Sequence, residues 1–271
     1  MNISVLIPTY MPGDYLWECI DSIYAQTLPK SEFEVVLVLN GCGEPYLSML
    51  HKCIDRYEGM NITILHADTV GVSNARNIAL DAAKGDMICF LDDDDRLSGT
   101  YLQALYENVE DDIIVCSNVK GFDEKTGVLS DDYISRAFVQ LSKVNRPLYS
   151  FEGRRFLSSA CCKMIPKSLI GDKRFDTKFS LGEDSLFMLS LEPEIRRIKL
   201  SPPDCIYFRR LRSHSASRKR RSVADEWAND IRLCCAYTNI WSKHMFTMNF
   251  PFFMSRIIAT LYKMISCLSF V

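Results

Sequence analysis

Residues 86–95 read DMICFLDDDD. A short apolar run, Met87 to Leu91, leads directly into four consecutive carboxylates, Asp92, Asp93, Asp94 and Asp95. A run of that length between turn residues suits a buried strand better than a helix. Four carboxylates crowded at a strand end repel one another once they are partly desolvated. A divalent cation relieves that repulsion, and hard oxygen ligands suit Mg²⁺ or Mn²⁺. The plainer alternative is a solvated acidic turn before the next helix.

Outward from this stretch the same grammar repeats. Residues 3–8, 33–40 (FEVVLVLN), 61–67 (NITILHA) and 113–117 (IIVCS) are further apolar runs rich in β-branched residues. Between them, residues 15–26, 45–57, 74–84 and 100–108 carry helical spacing, with Asp14 placed as an N-cap and Gly85 where a helix would stop. Near-continuous apolar strands alternating with helices predict an α/β fold, a mostly parallel sheet with helices on both faces. Ligands of such sheets gather at the carboxyl ends of the strands. Three of those ends carry polar side chains: Pro8-Thr9-Tyr10, Asn40-Gly41-Cys42 and the tetra-aspartate.

Two further segments join them. In residues 71–77 (GVSNARN), Ser73 or Asn74 can cap a helix aimed at the site, with Arg76 in its first turn to hold a carboxylate or the ligand itself. In residues 180–187 (SLGEDSLF), the acidic pair Glu183-Asp184 follows a Gly turn and opens an apolar helix. That pattern is also an ordinary helix start.

Composition narrows the function classes. Across 271 residues, 48% hydrophobic and 24% charged content supports a real core and excludes a disordered or collagen-like chain. A net charge of −2 argues against a polyanion binder, and the basic run at residues 209–221 lacks interleaved aromatics, so no nucleic-acid partner is expected. The 11 Cys include no C-x-x-C pair and are accompanied by only four His, which removes structural zinc. The opening MNISVLIPTY has no charged n-region or long h-region. A reducing cytoplasm is the expected compartment, with most Cys acting as small buried hydrophobes.

Taken in order, VLIPTY, EVVLVLNG, GVSNARN, FLDDDD and GED resemble the inverting glycosyltransferases of family 2, which have the GT-A fold. The resemblance covers about residues 1–220, and residues 221–271 would form a separate helical, amphipathic segment. It implies that Asp92 and Asp94 are the outer carboxylates of a D-x-D motif. Asp94 would hold Mn²⁺ or Mg²⁺ on the diphosphate, with Asp92 beside it facing the ribose or base. Pro8, Thr9, Asn40, Arg76 and Asp93 would contact the nucleotide-sugar, and Asp184, or in its place Glu183, would be the general base. Residues 207–217 resemble the family's Y-x-x-R-x-R/H-x-x-S-x-S segment, in which Arg210, Arg212 and Ser215 approach the diphosphate.

A metal to neutralise the departing diphosphate and one base to deprotonate the acceptor hydroxyl imply inversion at the anomeric carbon. The implied reaction moves one sugar from a UDP-sugar to a glycan acceptor, lipid-linked, in surface-polysaccharide assembly. Two departures stand out: Met11 replaces the family's frequent Asn, and Leu39-Asn40 replaces a frequent Asp pair. The Q-x-x-R-W motif of processive synthases is absent. A sugar-nucleotide-forming nucleotidyltransferase would want a Gly- and Lys/Arg-rich loop after the first strand, yet residues 8–14 hold one Gly and no basic residue. A phosphatase with a strand-end Asp nucleophile would leave Asn40 and Arg76 without a role. An inactive membrane-associated binding protein would have little use for Asp92, Asp94 and Asp184.

The tail adds a location. Met254, Ile257, Ile258, Leu261, Ile265 and Leu268 recur at helical spacing, Arg256 and Lys263 share another face, and no acidic residue follows Asp230. The apolar run is too interrupted to span a bilayer. Either the helix packs on the catalytic domain or it lies in the cytoplasmic leaflet, drawn by anionic lipid, as a peripheral membrane anchor.

Overall fold

The computed structural model describes residues 2–110, 112–212 and 222–268, with side chains to residue 266. Arg218 to Arg221 and Ser215 of the basic segment, and the Leu268 side chain, lie outside the described residues.

The first half follows the expected alternation. Strands β1 (Ile3–Thr9), β2 (Phe33–Asn40), β3 (Asn61–Ala67) and β4 (Met87–Phe90) are separated by helices α1 (Tyr15–Tyr24), α2 (Tyr46–Ile54) and α3 (Val72–Ala82). Then come the two-residue strand β5 (Arg96–Leu97), helix α4 (Tyr101–Tyr106), and strands β6 (Ile113–Cys116), β7 (Asn118–Asp123) and β8 (Leu129–Ser130). Helix α5 (Tyr133–Leu141), strand β9 (Lys163–Pro166), and helices α6 (Lys167–Ile170) and α7 (Glu183–Leu191) follow. Strands β10 (Arg197–Leu200) and β11 (Ile206–Leu211) precede two long helices, α8 (Val223–Lys243) and α9 (Phe250–Leu268).

Seven strands form the main sheet in the order β10-β6-β9-β4-β1-β2-β3. The pairs β1–β2, β2–β3 and β1–β4 are parallel, and β9 runs antiparallel between β4 and β6. Every residue of β1 and β2 is buried, as a strand covered on both faces requires. The chain steps from β1 outward through β2 and β3, then returns to place β4 on the other side of β1. The crevice at the carboxyl ends of β1 and β4 is therefore the topological switch point where such sheets bind ligands.

The sequence pattern does not announce the second sheet, β5-β11-β7-β8. It is built from β5, which begins one residue past the tetra-aspartate, and from β11 of the basic segment. One expected helix start is corrected. The residue before α3 is Gly71, not Ser73 or Asn74, which fall inside the first turn, so Arg76 sits a turn further in. Gly71 adopts φ +153°, a bend that only glycine makes freely, and its N–H is taken by Asn40 Oδ1 at 2.8 Å, which ties the helix start to the end of β2. Asp14 stands at the N-cap position of α1 as expected, without a side-chain cap bond.

Helices α8 and α9 pack on each other and α8 packs on α7, and Leu233, Tyr237, Met248, Phe252 and Phe253 join the core. The buried face of α9 is Phe252, Phe253, Arg256 and Thr260. Within the expected apolar stripe, Met254 and Ile257 lean on the core while Ile258, Leu261 and Ile265 are 59%, 47% and 64% exposed. Among the described residues no helix is long and apolar enough to cross a membrane.

Candidate active site

The tetra-aspartate turn is anchored from both sheets. The Leu91 N–H still pairs with the Leu6 carbonyl, so the strand register carries the turn to the mouth of the sheet. Asp95, the innermost carboxylate, is buried and accepts the Arg210 N–H at 2.8 Å. Arg210 Nε donates to the Asp94 carbonyl at 2.8 Å and its Nη2 to Glu18 at 2.8 Å. Arg210 thus binds the back of the turn with its guanidinium buried, while Arg212 reaches the front and pairs with the Asp94 carboxylate through Nε, 2.7 Å, and Nη2. Tyr207 Oη supports the same turn by accepting the Asp92 N–H at 3.2 Å.

Asp92, Asp93 and Asp94 therefore face different partners. Thr9 Oγ1 donates to Asp93 Oδ2 at 2.5 Å. Burial raises the Asp93 carboxyl to about 7 against that bond, with Asp94 and Asp92 adding to the rise. Asp94 is raised by burial and then by Asp92, with Arg212 opposing. Pro8, beside them at the end of β1, leaves the strand without an N–H donor at the crevice.

Arg76 is the hub. Its side chain is 5% exposed, and it donates through Nη1 to Asp184 Oδ1 at 2.6 Å and through Nη2 to Asp92 Oδ1 at 2.9 Å. Glu183 Oε1 lies 3.7 Å from Nη1. Burial opposes the charge, yet Asp184 and Asp92 hold the guanidinium protonated, well above its ordinary value. Of the two roles open to Arg76, a carboxylate or the ligand itself, the structure shows it on a carboxylate of the acidic turn, and the same fork takes Asp184 of α7, 108 residues further on.

Asp184 is gripped at its other oxygen by residues that the sequence reading did not single out. Ser159 Oγ and the Ala160 N–H both donate to Oδ2 at 3.1 Å. That loop is in turn pinned by buried Lys163 of β9, whose ammonium donates to the carbonyls of Ser159 and Cys161, the latter at 2.5 Å. No local signal marks Ser159; it arrives because β9 lies against β4. Gly182, at φ +82°, turns the chain into α7 so that Glu183 and Asp184 occupy its first turn, where the helix end favours negative charge. Burial raises the Glu183 carboxyl, and Asp184 raises it further.

Thr9 and Asn40 stand at the predicted strand ends. Thr9 is engaged with Asp93 and Asn40 Oδ1 with the Gly71 backbone, so both shape the rim. Met11, in the position noted for its departure, has φ +46°, the left-handed region that Asn tolerates better.

Chemically, the crevice unites a carboxylate held rigid from both oxygens, a buried cation, and an acidic turn at the switch point of a parallel sheet. These features define a GT-A-type α/β protein. Residues 4–170 match the family described as Glycosyl transferase family 2, and the chain belongs to that family.

The chain is 26% identical over 214 residues to a poly(ribitol-phosphate) beta-glucosyltransferase of Bacillus spizizenii, covering 77% of this chain and 32% of that one. It is 28% identical to the uncharacterized glycosyltransferase EpsJ of Bacillus subtilis, covering 73% and 58%. It is 27% identical to glycosyltransferase GlyG of Streptococcus pneumoniae, covering 84% and 76%. The chain spans less than two thirds of the length of the first two. A crystal structure of Staphylococcus aureus TarS 1–349 superposes with TM-score 0.72 at 20% identity, over 97% of this chain and 72% of that one. The same protein in complex with UDP-GlcNAc gives 0.69 at 24% identity, over 88% and 67%. These likenesses support the GT-A fold.

Proposed function

We propose that this chain transfers a single sugar from a UDP-sugar to a hydroxyl of a glycan acceptor, with inversion at the anomeric carbon. The observation that carries the reading is the Arg76 fork, which joins Asp92 of the acidic turn to Asp184 of α7. Donor-side and acceptor-side groups are thereby held in one crevice. Support for the donor comes from the UDP-GlcNAc complex of TarS, and for a glycan or polyol acceptor from the printed names of the curated relatives.

In this reading Asp184 is the general base. Its Oδ1 is oriented by Arg76 and its Oδ2 by Ser159 and Ala160, so it meets the acceptor hydroxyl without rotating. Arg76 stays charged beside it. Asp94 and Asp92 suit Mn²⁺ or Mg²⁺: they are hard oxygen ligands, and burial together with Asp92 already disfavours the charged form of Asp94. Among the described residues no third His, Cys, Asp or Glu completes a protein cage. Such a pair suits a cation that keeps water and diphosphate oxygens as its other ligands. When bound, the cation neutralises the departing diphosphate. Arg212, paired with Asp94, and Pro8, Thr9, Asp93 and Asn40 on the rim form the nucleotide side. Arg210 serves that side by bracing the turn.

Residues 1–220 carry the catalytic domain and residues 221–271 the helical extension. The exposed Ile258, Leu261 and Ile265, together with Phe246 at 95% exposure, support peripheral attachment at the cytoplasmic membrane face, where a lipid-linked acceptor is met.

The test is metal-dependent hydrolysis and transfer on a panel of UDP-, GDP- and dTDP-sugars. Asp94→Ala should abolish metal-dependent turnover and weaken donor binding. Asp184→Asn should lower turnover by about 10²–10⁴-fold with donor affinity unchanged. Full activity in EDTA, or an Asp184→Asn variant that loses affinity but keeps turnover, would remove these assignments.

A further inference from the structure

Residues 159–163 run between the end of β4 and the start of α7. Cys161 forms an isolated β-bridge with Phe90, while Ser159 and Ala160 reach Asp184. Lys163, in β9, is 1% exposed. Its ammonium donates to the carbonyls of Ser159 and Cys161, and among the described residues no carboxylate forms an ion pair with it. Three thiols feel its charge, those of Cys89, Cys116 and Cys162. Burial pushes all three up, the last two to about 12, so none supplies a counter-charge at neutral pH. A charge buried against carbonyls alone is costly, and an apolar side chain would fill the same volume without that cost.

The bonds on either side of the loop share one peptide unit. The Ser159–Ala160 peptide is trans, so its carbonyl and its N–H point in opposite directions. The carbonyl accepts from Lys163, and the N–H donates to Asp184 Oδ2 at 3.1 Å. The peptide dipole is thereby aligned between a cation and a carboxylate. Hydrogen bonds in such a chain polarise one another in low dielectric, so the ammonium strengthens the amide as a donor. The Ser159 hydroxyl is set as well: its oxygen accepts the Cys161 N–H at 3.2 Å, which leaves its proton for Asp184 Oδ2 at 3.1 Å.

We propose that Lys163 is a positioning residue for Asp184, its ammonium acting on the carboxylate through the Ser159–Ala160 peptide. The proposal rests on Asp184 as the base of the glycosyltransferase reading and adds the group that holds it from behind. Arg76 grips Oδ1 directly, whereas Lys163 grips Oδ2 at one remove. A staple for the loop needs only a donor; polarising the amide needs the charge. That difference is what an experiment can read.

NMR of the full chain, isotope-labelled at alanine nitrogen, tests the relay without turnover. The Ala160 amide proton, assigned by its loss in Ala160→Gly, should move upfield in Lys163→Gln, which keeps a donor but not the charge. It should stay in place in Lys163→Arg. Hydrolysis of UDP-GlcNAc and UDP-glucose with Mn²⁺ gives the second readout. Lys163→Gln should lower kcat by about 10- to 100-fold with UDP affinity unchanged, and Lys163→Arg should retain most of the turnover. Added to Asp184→Asn, Lys163→Gln should cost nothing further, because the group that it positions has gone. A role confined to the fold would lower both backgrounds alike. If Lys163→Gln does not fold, the Lys163 ammonium signal of the lysine-labelled chain decides, since it should shift on Asp184→Asn. An Ala160 proton indifferent to Lys163→Gln, an ammonium indifferent to Asp184→Asn, or lost UDP affinity with kcat retained would overturn the assignment. Full turnover in Asp184→Asn would instead strike the base, and a native chain that does not bind UDP would strike the donor reading.

Discussion

Arg76 ties groups 16 and 108 residues away in sequence into one cluster, and it does so from within a buried helix turn. Removing it would leave Asp92 and Asp184 facing each other in low dielectric without a cation, a more costly state than the ion cluster itself. At the same scale Met11 shows a residue that does not fit its backbone. Its φ of +46° costs an L-residue with a bulky side chain on the order of 1 kcal/mol, which Asn or Gly largely avoids. Met11→Asn should therefore raise stability by about 0.5–1 kcal/mol, read as a higher urea midpoint with an unchanged slope. A midpoint that stays put would mean the strain is relieved elsewhere in the native ensemble. The resemblance marks this position as a departure; the backbone supplies the reason that Asn is at home there.

At the level of elements, the strands and helices of the first half were legible because burial on both faces writes a continuous apolar code. The expected and observed bounds of β2 and β3 coincide. Helix ends were less legible, since α3 starts at a glycine with no side-chain cap and its start is fixed by a long-range bond from Gly71 to Asn40. Gly85 illustrates a packing demand hidden inside a turn signal. Read as a helix stop, it is also pressed on β1, where an added Cβ would lie 2.7 Å from Ile3 C and Ser4 N. Because those neighbours are backbone, Gly85→Ala should destabilise by about 1–3 kcal/mol, measurable by chemical denaturation. A neutral substitution would show that α3 can slide away from the sheet. Of the second sheet only β11 was legible, its apolar start at residues 205–208 reading as a strand; β5 and β8 are two residues long and carry no pattern of their own.

For the whole molecule, the two C-terminal helices close one side of the catalytic domain and leave an apolar strip outward. If that strip meets lipid, the full chain should sediment with anionic vesicles at low salt. The triple variant Ile258→Ser, Leu261→Ser, Ile265→Ser should lose sedimentation and keep donor hydrolysis, because these side chains lie outside the core. Indifference of the native chain to vesicles would remove the membrane assignment. The reading of α9 from its periodicity found the stripe, yet Arg256, placed by the pattern on a polar face, is among its most buried residues. Helical periodicity tells which residues share a face, not which face turns inward.

By itself the sequence determined the α/β class and the sheet edge at which a ligand would gather, because apolar runs dictate strands and polar residues at their ends have nowhere to go but the rim. The family, and the choice of Asp92, Asp94, Arg76 and Asp184 as candidate site residues, came from a resemblance of five motifs in order. Only the tertiary structure decided how those residues pair. Arg210 goes behind the acidic turn and Arg212 in front of it, Ser159 and Ala160 hold Asp184, and Arg256 lines a cavity behind α7. These contacts join segments up to 118 residues apart, and no local propensity encodes which of several arginines meets which carboxylate. That choice belongs to packing, which buries one guanidinium wherever a carbonyl or carboxylate can satisfy it and leaves the next to the crevice.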